Sequence, residues 1–213
     1  IMVSCSFACT LAFMYLVPQE LQRGLGMSST LVGLLMLPGG IVNAVCTLMA
    51  GRLFDRHGAR VLVWIGVVMA AIGGALFFAI GVDSGVVLFL AAHIIVMVGI
   101  PFIQQSAQSA ALKSLPGRMA ADGSTILNTM QQVCGAIATA VATCLLGLGQ
   151  TGYAAGGGTN AAQGFVDGSR YGYMFGLVLV AIVLVFSFML KGGKEAVQTN
   201  ICLLYTSPSP RDR

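Results

Sequence analysis

Gly51-Arg52-Leu53-Phe54-Asp55-Arg56-His57-Gly58-Ala59-Arg60 carries four formal charges in ten residues, within a 213-residue chain in which charged residues make up only 8%. On either side the sequence is uncharged and apolar for about 20 residues, the length of helix that crosses the roughly 30 Å hydrocarbon layer of a bilayer. A charged decapeptide between two such runs reads as a loop held in water. Asp55 is expected near the start of the following helix, where free N–H groups and the helix dipole favour a carboxylate. Arg52, Arg56 and Arg60 are within reach to pair with it or with a carboxylate elsewhere.

The rest of the composition fits this reading. The chain is 57% hydrophobic, holds 28 glycines and has a mean hydropathy of +0.89, more apolar surface than a water-soluble domain of this size can bury. The net charge of +4 comes from basic residues spread through short connections, which argues against a nucleic-acid partner. Cys46, Cys134 and Cys144 fall inside apolar runs, where a thiol packs as a small hydrophobe, and no cysteine spacing suggests a metal site or a disulfide framework. No His-Glu-x-x-His, Gly-x-Ser-x-Gly or phosphate-cradling glycine loop is present, so no enzyme and no cofactor are expected.

Six runs are long enough to span a membrane, at about 1–17, 29–50, 61–82, 85–110, 123–148 and 171–190. They predict an all-α, polytopic membrane protein whose residues 1–195 form one six-helix bundle, with 196–213 as a tail. The chain opens without a basic leader and reaches Pro18 with no small-residue cleavage site, so it is expected to begin mid-protein. Residues 18–29 are expected to form a loop holding Glu20 and Arg23, and the glycine-rich stretch 149–169 a flexible loop. The third run has no strongly polar residue and reads as a peripheral, lipid-facing helix. Seven Arg and Lys fall on one side (Arg52, Arg56, Arg60, Lys113, Arg118, Lys191, Lys194) and two on the other (Arg23, Arg170), which puts the decapeptide in the cytoplasm.

Polar side chains within a span tend to face the bundle interior or a watery cavity. Asn43, His93, Gln104, Gln108, Asn128, Gln131 and Gln132 are therefore the candidate cavity-lining residues. Helical spacing puts His93, Met97, Gln104 and Gln108 on one face, and Asn128, Gln132, Gly135, Thr139 and Thr143 on another. For the amides the competing role is interhelical hydrogen bonding alone. His93 adds the capacity to titrate near neutral pH. No acidic residue lies well inside any of the six runs.

Read as Gly-x-Leu-x-Asp-Arg-x-Gly-x-Arg, the decapeptide resembles the cytoplasmic signature loop of major facilitator superfamily transporters, which joins the second and third helices of each six-helix half. Gly51, Arg52, Asp55, Arg56, Gly58 and Arg60 are its site residues by that resemblance, and the loop's implied role is a latch made in one conformation and broken in the other. With Leu37-Pro38-Gly39-Gly40 and residues 128–135, residues 1–195 look like the C-terminal half of the fourteen-helix drug:proton antiporters. The resemblance implies multidrug efflux across the bacterial cytoplasmic membrane, a small-molecule substrate and a proton as partners, and an N-terminal half elsewhere that carries the proton-coupling carboxylate. A nutrient carrier of the same superfamily and a non-transporting fragment are the alternatives. Residues 202–212, Cys-Leu-Leu-Tyr-Thr-Ser-Pro-Ser-Pro-Arg-Asp, resemble a translated sequencing adapter and are set apart from the fold.

Overall fold

The computed structural model describes residues 1–81 and 84–189; the adapter-like tail, Lys191, Lys194 and Asp83 lie outside these. The described residues form helices only: α1 (Met2–Gln19) running into a π-helical turn (Glu20–Gly24), α2 (Ser29–His57), α3 (Ala59–Ala79), α4 (Val86–Lys113), α5 (Ala120–Ala155) and α6 (Ala161–Ser187). A short 3₁₀ turn, Gly117–Met119, precedes α5. Each of the six rods is long and apolar enough to cross a bilayer, and the chain is a multi-pass membrane protein.

α1 is the hub, packed against α4, α5 and α6; α3 lies against α4 and α6, and α2 mainly against α4. Four aromatic rings join these elements: Phe77 of α3 lies 5.7 Å from Phe13, 5.0 Å from Tyr173 and 5.1 Å from Phe89. All four are buried. Such ring pairs contribute about 0.5–1.5 kcal/mol each beyond the area they bury. Backbones approach closely where glycines allow it. A Cβ on Gly66 of α3 would stand 2.6 Å from the Gly99 carbonyl of α4, and Gly172 and Gly176 seat Leu16 and Phe13 of α1 against α6. Small residues are the usual device for packing helices in lipid, where no hydrophobic force separates helix from solvent.

Three loops expected from the sequence are largely helical. Most of the decapeptide is the end of α2, which runs to His57; Gly58 then takes φ +78° and α3 begins at Ala59. The turn is one residue, because a left-handed glycine reverses the chain without a longer connection. Residues 18–24 continue α1: the helix passes through Pro18 and widens into a π turn over Glu20–Gly24. The glycine-rich stretch is helical except at residues 156–160: Gly149 packs against Gly168 and Tyr171, and Asn160 caps α6 by accepting from Ala162 N at 3.0 Å. Close packing of α5 on α6 outweighs the low helix propensity of glycine there. Arg170, expected in an outer loop, lies inside α6 and pairs with Asp167 at 3.0 Å.

α3, expected at the periphery, exposes only the stripe Val61, Ile65, Val68 and Ile72; its opposite face, with Val63, Val67, Ala70 and Phe77, is buried against α4 and α6 because Gly66 and Gly73 let the backbones approach. α2 and α5 are more exposed still, with Leu34, Leu37, Ile41, Val45 and Leu48 on one and Ile126, Met130, Val133 and Ile137 on the other.

Candidate functional site

The polar groups of the spans gather along α4, at its separate seams with α2 and with α5. On α2, the Asn43 amide donates to the Met97 carbonyl of α4 at 3.4 Å and lies 3.8 Å from the Met97 sulfur. One turn away, the buried His93 ring fills the space left by Gly39; any Cβ at Gly39 would overlap it. His93 thus sits against the Pro38-Gly39 segment, where the proline inside α2 interrupts the hydrogen-bond ladder. Its Nδ1 has no hydrogen-bond partner among the described residues.

Further along α4, Gln104 Nε2 donates to Gln131 Oε1 of α5 at 3.2 Å. Gln131 is buried and its own Nε2 lacks a partner among the described residues, as does the fully buried Ser106 hydroxyl. Gln108 is half-buried. Asn128 and Gln132 are exposed on the outer side of α5, next to Met130 and Val133. The second expected polar face is therefore split. Gly135 turns into α1, against Leu11 and Phe7, while Asn128, Gln132 and Thr143 remain on the surface. A face drawn from spacing alone spans more than 60° of helix, and the seam with α1 cuts through it.

At the other end of α2 the charged residues stand in water. Asp55 does not lie at the start of α3 but in the last turn of α2, where the dipole disfavours a carboxylate. Its partner is none of the three nearby arginines. Lys113, the last residue of α4, donates to Asp55 Oδ1 at 2.9 Å and stands 4.4 Å above the Phe54 ring. Gly51, Arg52, Arg56 and Arg60 are exposed. The pair ties together the ends of two helices that run in the same direction.

Spacing arguments missed the acid Glu20. It is 1% exposed, the Tyr173 hydroxyl of α6 donates to its Oε2, and Ser169 and Arg170 stand beside it. From sequence alone Glu20 falls in a loop, because Pro18 is expected to end the first span. Leu21-Gln22-Arg23-Gly24-Leu25-Gly26 after it mixes polar, apolar and glycine residues as a loop does, so no local signal marks its burial.

Residues 1–139 match the family model of the Major Facilitator Superfamily. The lincomycin resistance protein LmrB of Listeria monocytogenes is 36% identical over 91% of this chain and 42% of its own length, and that of Bacillus subtilis is 35% identical over 90% and 41%. A multidrug resistance protein B homolog of Mycobacterium tuberculosis is 29% identical over 62% of the chain and 25% of its own length. The chain thus spans less than half the length of these relatives. Their names are those of drug resistance proteins. With six membrane-crossing helices, the signature at Gly51–Arg60 and a family match over 139 residues, the chain belongs to the Major Facilitator Superfamily.

Proposed function

We propose that this chain is the C-terminal six-helix half of a proton-coupled multidrug efflux transporter of the bacterial cytoplasmic membrane, which exports amphipathic small molecules by alternating access. The observation that carries this reading is the surface shared by α4 and α5. The Gln104–Gln131 amide pair lies beside exposed Asn128 and Gln132 of α5, whose surface there also presents Ile126, Met130, Val133 and Ile137. Apolar area with a few amides fits molecules that are apolar with a few polar groups. Exposure of such amides to hydrocarbon is costly, so the face is expected to meet the N-terminal half of the same protein, with the substrate path between them. The likeness to lincomycin resistance proteins supports efflux and makes lincomycin the first substrate to test.

The test is alanine substitution of Gln104, Asn128 and Gln132 in the complete transporter, with resistance to lincomycin and cationic dyes measured at matched membrane levels. Altered resistance profiles with normal insertion are the expected result. Unchanged profiles for all three would place the substrate path elsewhere.

A further inference from the structure

Glu20 stands out among the charged groups. It is buried to 1% exposure at the junction of α1 and α6, and no cation comes within ion-pair distance of it among the described residues. The Tyr173 hydroxyl holds its Oε2, and beneath that hydroxyl the Tyr173 ring stacks on Phe13 and Phe77. Tyr173 lies 12 residues into α6, roughly 18 Å along the rod. A charge in such surroundings is costly unless it is paired or neutralised, which is why acidic groups inside membrane bundles mark proton and ion pathways.

A route to water lies one turn away. A cavity of about 400 Å³ opens at the outer ends of α3, α5 and α6, with Asp167, Arg170, Tyr153 and Tyr171 in its wall. Arg170 belongs both to this wall and to the surroundings of Glu20, and it is three residues from Tyr173, about one helical turn. Asp167 holds the Arg170 guanidinium at 3.0 Å, and Gln163 donates to the same carboxylate at 3.2 Å. The charged or titratable groups around the carboxyl are therefore Tyr173 and Arg170 of α6, with Asp167 beyond them. Arg23, on the same π turn, points into solvent. His93, the other ionisable group deep in the bundle, is turned to Gly39 of α2.

We propose that Glu20, held by the Tyr173 hydroxyl, is a proton-binding site of this half and exchanges its proton with the outside through the Asp167–Arg170 cavity. The inference rests on the proton-coupled reading above, but it moves a coupling group into the half that the sequence reading left without one. Uptake forms one O–H bond on a Glu20 carboxylate oxygen; release breaks it and returns the proton to water. Tyr173 can donate to the carboxylate or accept from the acid, so both forms keep the α1–α6 contact.

The experiment uses the complete transporter in liposomes and compares gradient-driven substrate movement with substrate exchange at equal pH on both sides. In Glu20→Gln, gradient-driven movement should fall to the level seen without a gradient while exchange persists, and Tyr173→Phe should move the pH profile without abolishing transport. Infrared spectra through a pH titration, wild type minus Glu20→Gln, should show a carboxylic C=O stretch that disappears as pH rises. If the wild type itself ignores the gradient, the proton-coupled reading fails whatever Glu20 does. If the wild type is gradient-driven and Glu20→Gln is driven equally, or no titrating carboxyl band belongs to Glu20, the inference about Glu20 is overturned. The infrared arm decides the case in which Glu20→Gln loses both activities.

Discussion

Asp55 places a negative charge in the last turn of α2, where the exposed carbonyls already make the helix end negative. Lys113 offsets this from the last turn of α4, where a cation is favoured. Both side chains are well exposed, at 70% and 62%, so the pair contributes only about 0–1 kcal/mol to stability. Its expected importance is conformational, since the bond joins two helix ends that must separate if the bundle rocks. Asp55→Asn should leave insertion and thermal stability nearly unchanged while slowing transport in the complete protein. The exchanged pair Asp55→Lys with Lys113→Asp should recover part of the rate, and a lack of recovery would argue for topology alone. A second residue-scale prediction concerns Gly39, whose missing side chain is the space His93 occupies. Gly39→Val should destabilise the bundle by about 1–3 kcal/mol through overpacking, and His93→Ala should relieve part of that loss. Thermal unfolding of the two single variants and the double variant in one detergent checks the coupling; strictly additive effects would contradict it.

At the scale of elements, α2, α4, α5 and α6 are all longer than a bilayer requires, α5 most of all. α5 has 36 residues, roughly 54 Å of helix against a hydrocarbon layer of about 30 Å, so its ends project into water. The basic side chains mark which end is which. Arg52, Arg56 and Arg60 at the α2–α3 junction, with Lys113 and Arg118 between α4 and α5, share one end. Arg23 stands at the other, while Arg170 is engaged inside α6 with Asp167. The junction at His57 is therefore predicted to be cytoplasmic and the turn at Gly156 external. Cysteines introduced at 57 and 156 and labelled from outside intact cells should react at 156 only. Labelling at 57 but not at 156 would invert the topology.

For the whole molecule, the proposed reading predicts that residues 1–195 do not suffice by themselves. α2 and α5 leave long apolar stripes and two amides uncovered, whereas α1 and α4 are largely buried. Alternating access in this superfamily has one bundle rocking against another around a site between them. Residues 1–195 expressed alone in an efflux-deficient bacterium should therefore extrude no dye and should be prone to aggregation or proteolysis. Gradient-dependent extrusion by this half, lost on Asp55→Asn, would show that two copies can cover each other's stripes and that the half suffices.

Hydropathy alone determined the class and the number of spans, because the cost of leaving backbone and charge in hydrocarbon is paid locally, run by run. The decapeptide at Gly51–Arg60 determined the family for a related reason: glycine and charge at fixed spacing are local constraints. Tertiary structure decided which polar residues meet. Gln104 finds Gln131 across helices 27 residues apart, Asp55 finds Lys113 rather than its neighbouring arginines, and Asn128 stays outside while Gly135 on the same expected face turns in. It also decided where the helices end. Pro18 and Gly149 are breakers by propensity, but α1 runs on past the first into a π turn and close α5–α6 packing holds the second, whereas the run Gly156–Gly158 does end α5. Glu20 shows the limit most clearly, since its burial depends on Tyr173, 153 residues away, and no local pattern encodes that contact.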